Sequence, residues 1–273
     1  MTPILSVRDL EKSFGHVAAA RDISLDVPAN QTVGIIGANG AGKTTFVNMI
    51  TGHIHPSKGT IRFEDRDITG LPSHAITRLG ISRSFQVAQI FPSLSAFDNM
   101  CVATAVARSA DGVFARALTA LHAPEILREA QAALDLFGIS ASRDARAGTL
   151  PQGARKLLDI AMAVAGRPRL LLLDEPTSGI SIEEKYALME TVMTALRARG
   201  ITVLFVEHDM EIVSRFADRV LAFYDGTVIA DGPPGEALED ARVRELVTGA
   251  PPRLGAAPSH PAAAPSPTGA AHA

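Results

Sequence analysis

The chain has 273 residues, 47% hydrophobic and 20% charged, enough for one large domain or two small ones with a full apolar core. A formal net charge of −3 and a pI of about 6.2 exclude the bulk basic field of a nucleic-acid binder. The single cysteine, Cys101, excludes an internal disulfide and suits a reducing compartment.

No run approaches about 18 apolar residues. The N-terminal stretch MTPILSVRDLEKSF lacks the basic start and long apolar core of a signal peptide. Any membrane role is therefore expected to run through a partner.

Ile4–Val7, Val17–Val27 and Val33–Ile36 read as strands. The third runs into GANGAGKT at 37–44, which fits G-x-x-x-x-G-K-[ST]. A helical pattern follows over Lys43–Ile50, with Phe46, Val47 and Ile50 on one face. Strand, glycine loop and helix in that order are the context a phosphate-binding loop needs. Gly37, Gly40 and Gly42 let the backbone curl so that N–H groups point inward. The helix N-terminus adds partial positive charge. Lys43 supplies a full charge for the β- and γ-phosphates, and Thr44 a hydroxyl for Mg²⁺. Asn39, Ala41 and Thr45 complete the expected phosphate-binding set. His53 and His55 flank Ile54 in a loop and read as surface residues. The turn signal Pro56–Gly59 precedes a strand over Thr60–Glu64.

From Pro92 to Thr149 alanine is abundant and the spacing is helical. Pro124 opens one helix at its first position; Ile126, Ala130, Leu134 and Phe137 line a face, and Gly138 closes it. Cys101 lies in an apolar stretch and reads as a buried, inert thiol. Thr149 with Gln152 three residues on forms a capping-box pattern.

Leu170–Leu173 is an apolar strand ending in Asp174-Glu175, which puts a carboxylate pair at the carboxyl edge of a sheet. Asp174 is expected to hold Mg²⁺ through its water shell, and Glu175 to take a proton from an attacking water. A helix over Ile182–Arg199 opens on another capping-box pattern, Ser181 with Glu184. Strand Thr202–Val206, a helix near Met210–Phe216 and strand Arg219–Phe223 complete the alternation. Continuous apolar strands separated by amphipathic helices predict a parallel sheet covered on both faces. Residues 250–273 hold six prolines and nine alanines and are expected to be a disordered tail.

Residues 1 to about 249 resemble the nucleotide-binding subunit of ATP-binding cassette (ABC) transporters. Beyond the phosphate loop and the Asp174-Glu175 strand, four positions match that family's motifs. Phe14, in KSFG, stands where the family stacks an aromatic on adenine. Gln86, in SFQ, matches the glutamine that reaches Mg²⁺ and water and senses the membrane subunit. LPQGARK at 150–156 stands in the signature position that usually begins LSGG and keeps Gly153 as a nucleotide contact. His208, in VEHD, matches the histidine that contacts the γ-phosphate. Without the resemblance, Phe14 reads equally as core, Gln86 as a solvated polar residue and His208 as a structural hydrogen-bonder.

Two positions depart from the pattern. Pro151 and Gln152 replace the signature's serine and first glycine, so the phosphate contact there is expected to differ. Ser181 replaces an aspartate that makes a polar contact across the family's dimer.

The expected fold is α/β: a RecA-like P-loop NTPase core with a mainly parallel sheet, an antiparallel β edge, and a helical subdomain at about 93–150. The resemblance implies ATP and Mg²⁺ as cofactors and ATP hydrolysis at the cytoplasmic face of the membrane. It implies as partners integral membrane permease subunits, a second ATPase subunit in a homo- or heterodimer and, indirectly, a solute-binding protein. The long helical insertion and the phrases LFVEHDM and DGTVIADGPP resemble importers of branched-chain amino acids and related solutes. The competing expectations are a soluble ABC ATPase outside transport and a small-molecule kinase.

Overall fold

The computed structural model describes residues 2–84, 88–109 and 121–249. Two sheets form the frame. The first is antiparallel, in the order β2-β1-β4-β5, from β1 (Leu5–Phe14), β2 (Val17–Val27), β4 (Lys58–Phe63) and β5 (Arg66–Asp67). The second contains β3 (Thr32–Gly37), β6 (Ile81–Ser84), β7 (Leu170–Asp174), β8 (Thr202–Val206), β9 (Arg219–Tyr224) and β10 (Thr227–Gly232). Its order is β10-β9-β3-β8-β7-β6, parallel except for the β9–β10 hairpin at one edge. Together they give the α/β architecture expected, mainly parallel with an antiparallel part.

The second sheet is buried on both faces, as its uninterrupted apolar strands require. Along β7, Leu170 and Leu172 enter one core with the antiparallel sheet and helix α1 (Lys43–Ile50). Leu171 and Leu173 enter the other. That second core is closed by α3 (Ala96–Arg108), α4 (Pro124–Leu136), α5 (Gln152–Ala165) and α6 (Ile182–Ala198), numbered after the short α2 (Ser73–Arg78). Helix α7 (Met210–Phe216) follows β8.

Helix α4 starts with Pro124 in its first turn, buries Ile126, Ala130 and Leu134, and runs out at Gly138 with φ +67°, as the sequence predicts. Cys101 is 5% exposed, and burial pushes its thiol up to about 11, so the inert reading stands.

Some boundaries differ from expectation. β1 continues seven residues past Val7, because its antiparallel partner β2 is long enough to pair with it out to Phe14↔Val17. β4 begins at Lys58, not Thr60: Glu11↔Lys58 pairing draws the end of the turn into the sheet. Edge strand β6, only ISRS, carries too short a pattern to be read from sequence. The Thr149–Gln152 capping box does not form. Pro151 takes the N-cap position in extended geometry (φ −53°, ψ 153°), so α5 begins at Gln152 without a side-chain cap. The Thr149 hydroxyl instead donates to the Arg146 carbonyl. The Ser181 cap does form, its hydroxyl accepting from the Glu184 N–H at 3.3 Å. Residues 250–273, the expected disordered tail, lie outside the described residues.

Candidate functional site

Three adjacent parallel strands deliver their carboxyl ends to one place. β8 lies between β3 and β7, and Val206 pairs with Ile35 on one side and Asp174 on the other. The phosphate loop therefore leaves β3 beside Glu207-His208 leaving β8 and Asp174-Glu175 leaving β7. This is the edge where open α/β sheets bind ligands.

The loop turns on glycines that nothing larger can replace. Gly42, the N-cap of α1, has φ +101°, and a Cβ there would lie 2.6 Å from the Ala19 carbonyl oxygen. Gly37 has φ +153°, and a Cβ would lie 2.5 Å from the Phe223 carbonyl oxygen. Helix α1 has neither a side-chain N-cap nor an acidic residue in its first turn, which leaves its opening N–H groups to an incoming anion. Asn39, Gly40 and Thr44 are exposed, Thr45 is half-buried, and Ala41 is buried beneath them.

Lys43 is only 6% exposed. Its ammonium donates to the carbonyls of Gly37 (2.5 Å) and Ala38 (3.0 Å), folding the side chain back over its own loop. Burial lowers its pKa, against the opposing pull of Glu175 and Asp174. That pull ties the loop electrostatically to the acidic strand end.

Asp174 is held from below. The Arg83 guanidinium donates to its Oδ2 at 2.5 Å and to Asn48 Oδ1 on α1 at 2.6 Å. Glu175 has φ +48°, rare for a residue with a Cβ, and is fixed by its N–H donating to the Val206 carbonyl at 3.0 Å. Its Oε1 lies 2.9 Å from His208 Nε2. Glu207, 4% exposed, accepts from the Thr177 N–H (2.9 Å), the Thr177 hydroxyl (2.7 Å) and the His208 N–H (3.2 Å). Asp209 caps α7 through the N–H groups of Glu211 and Ile212 and pairs with Lys185. A buried carboxylate, Glu207, and a half-buried one, Asp209, thus pin the backbone on both sides of His208.

Phe14 ends β1 and is 52% exposed, with the Lys12 ammonium 5.1 Å from its ring centre. The reading of Phe14 as core is thereby corrected: its face is open for stacking. Gly153 lies in the first turn of α5. Beside it, the Gln152 amide donates weakly to the Ser178 carbonyl at 3.4 Å. Among the described residues no hydrogen bond joins Gly153 to the phosphate loop. Gln86 lies outside the described residues. His53 and His55 are exposed, as expected.

Arg83 and Glu207 were missed by the sequence reading. Glu207 left a trace, a carboxylate directly after a buried strand; Arg83 left none, because β6 itself was not legible.

For Mg²⁺, the donors fit. The Thr44 hydroxyl and the Asp174 carboxylate are hard oxygen ligands. Among the described residues no group of three or more His, Cys, Asp or Glu side chains can hold a metal alone.

The family model described as ABC transporter matches residues 20–178, spanning the phosphate loop, the signature segment and the carboxylate pair. The chain belongs to the ABC transporter family. It is therefore an ATP-binding, ATP-hydrolysing subunit of that family, with its α/β P-loop NTPase fold. It is 34% identical over 250 residues to the high-affinity branched-chain amino acid transport ATP-binding protein BraF of Pseudomonas aeruginosa, covering 90% of this chain and 98% of that one. It is also 34% identical over 253 residues to the lipopolysaccharide export system ATP-binding protein LptB of Acidithiobacillus ferridurans, covering 91% and 98%. The solved ADP conformation of MJ1267, an ATP-binding cassette of an ABC transporter, superposes with a TM-score of 0.78 at 27% identity, covering 91% and 98%. No helix among the described residues is long and apolar enough to cross a membrane.

Proposed function

We propose that this ABC subunit couples Mg-ATP hydrolysis to import of branched-chain or other amino acids, acting peripherally at the cytoplasmic face of the membrane beside permease subunits. The observation that carries the importer reading is the end-to-end likeness to BraF, which spans nearly the whole of both chains. The equal identity to LptB supports a second reading, lipopolysaccharide export.

In the proposed cycle, Lys43 leaves its own loop carbonyls for the β- and γ-phosphates, while the loop amides and the α1 N-terminus hold the remaining charge. Phe14 stacks on adenine, and Asn39 to Thr45 line the phosphates. Thr44 and Asp174, with Gln86, would hold Mg²⁺, which when bound offsets phosphate charge. Glu175 takes a proton from the attacking water. His208, hydrogen-bonded to Glu175, orients that carboxylate and reaches the γ-phosphate. Two chains sandwich the nucleotides, each offering Gly153 and the start of α5 to the other's phosphates. Residues 1–249 form the nucleotide-binding domain, with the helices of about 93–150 as its mobile part.

A cleft of about 390 Å³ beside α5 is lined by Ala88, Ile90, Pro92 and Arg155. Phe91 is 43% exposed in the same stretch. A cleft of mixed polar and apolar lining, with Gln152 and Ser178 beside Ile90 and Pro92, next to the signature helix is a suitable seat for a permease segment.

Deleting the gene in its source and following uptake of labelled leucine, isoleucine and valine tests the solute class. Import predicts lost uptake, restored by the wild-type chain and not by Glu175→Gln. Unchanged uptake with a lipopolysaccharide-transport defect would favour export.

A further inference from the structure

Strands β7 and β8 begin at Leu170 and Thr202, at the end of the sheet opposite the phosphate loop; Asp174 ends β7 and Glu207 follows β8 at the other. At the beginning of these strands a cavity of about 440 Å³ opens between α3, α4 and the chain entering the sheet. Met100 and Thr104 of α3 lie one helical turn apart and share a face, as do Glu129 and Ala133 of α4. Arg167 follows α5, and Arg199 and Ile201 lead into β8. Met100, Ala133 and Ile201 are each at most 6% exposed and give the cavity an apolar wall.

The polar side is cationic. Glu129 pairs with Arg167 at 3.2 Å and with Arg108, which lines an adjoining hollow, at 2.7 Å. Arg199 makes no hydrogen bond or ion pair among the described residues. It is exposed at the opening, yet burial and the charge of Arg167 lower its pKa, against the pull of Glu129. Three arginines thus face one glutamate, and Arg199 is the cation left over. Thr104 is 2% exposed and lines the same cavity, and its hydroxyl makes no hydrogen bond among the described residues. A buried hydroxyl left unpaired costs stability, so packing alone favours an aliphatic side chain there. Arg199 can only donate, and the Thr104 hydroxyl is free to donate. Both want an acceptor, and the wall beside them wants hydrocarbon.

We propose that this cavity binds a small carboxylate with a short apolar body, its oxygens on Arg199 and Thr104 and its hydrocarbon against Met100, Ala133 and Ile201. Glu129 is already engaged by two arginines, so the surplus positive charge favours a net anion over a zwitterion. The volume lies within the range of small-molecule sites. The site is separate from the phosphate loop, at the opposite end of the same strands, and does not depend on the solute that the subunit helps to move.

The test is calorimetric titration of the full chain with three probes. They are 4-methylpentanoate, leucine, which adds an ammonium to the same skeleton, and inorganic phosphate, an anion with no apolar body. 4-Methylpentanoate should bind saturably, one per chain, and about ten-fold or more tighter than either of the others. Arg199→Ala should weaken its binding about ten-fold or more, the effect of losing a hydrogen bond to a charged group. Ala132→Phe, at an exposed position of the cavity lining on α4, should fill the opening and abolish binding. Both variants should keep ATP affinity within about two-fold, which checks their folding. If Ala132→Phe loses ATP binding, Thr104→Val takes its place. It keeps the shape without the hydroxyl and should weaken 4-methylpentanoate about three- to ten-fold. No saturable binding of 4-methylpentanoate, or equal affinity in the wild type and the variants, would overturn the inference. Leucine or phosphate binding as tightly as 4-methylpentanoate would overturn the assigned ligand class.

Discussion

The Glu175 carboxylate meets the His208 imidazole at 2.9 Å across the ends of two neighbouring parallel strands. Glu175 is in the left-handed region, with φ +48°, a conformation that costs of order 1 kcal/mol for a residue with a Cβ. The surrounding bonds offset that cost. The Glu175 N–H is taken by the Val206 carbonyl, and Glu207 ties Thr177 to His208. The pair is held in place by the protein's own backbone and side-chain bonds, as electrostatic preorganisation requires.

Glu207 supports that assembly through its bonds to Thr177 and His208. Glu207→Ala leaves the Thr177 N–H and hydroxyl and the His208 N–H without their acceptor. The expected loss is at least about 2 kcal/mol of stability, since each buried donor left unmade costs roughly 1–3 kcal/mol. Chemical denaturation measures it, and an unchanged midpoint would show that water replaces the carboxylate.

Phe14 is exposed, so its role separates cleanly from folding. Phe14→Ala should weaken ATP binding by about 0.5–1.5 kcal/mol, the value of one aromatic contact, and leave the melting temperature within a degree or two. Phe14→Trp should bind at least as well. Titration with a fluorescent ATP analogue reads both, and equal affinity in all three chains would remove Phe14 from the site.

Helix α5 starts on a proline that cannot cap it. Pro151→Ser gives its first turn a hydroxyl acceptor and should raise stability by about 0.5–1 kcal/mol. Calorimetry checks the sign. A lower melting temperature would mean that the fixed φ of Pro151 is worth more than the cap.

Cys101 should resist alkylation in the native protein. With the thiol pushed up to about 11, roughly one molecule in a thousand is thiolate at pH 8, and the thiolate is the reactive form. Labelling should accelerate only on unfolding; rapid native labelling would contradict the burial.

The phosphate loop, the Asp174-Glu175 strand end and the alternation of strands and helices were legible because each rests on a local pattern: glycine spacing, a four-leucine strand, helical periodicity. The capping box at Thr149 was misread for the same reason. A local pattern says nothing of Pro151 taking the cap position. Arg83 was invisible, since its meaning is a partner far along the chain, Asp174. Phe14 stayed open between core and contact until the β1–β2 pairing showed that its strand end protrudes.

In the proposed cycle Glu175 is the base of an ATP hydrolase whose nucleotide is held elsewhere, by Lys43 and the loop. Single-turnover hydrolysis by Glu175→Gln, measured beside ATP binding, separates the two roles. The amide is nearly isosteric and cannot take a proton at neutral pH, so hydrolysis should fall by about 10²–10⁴. ATP affinity should stay within about two-fold, whereas Lys43→Ala should lose tight binding. Near-normal hydrolysis by Glu175→Gln with intact ATP binding would contradict the assignment and move the proton acceptor to another group.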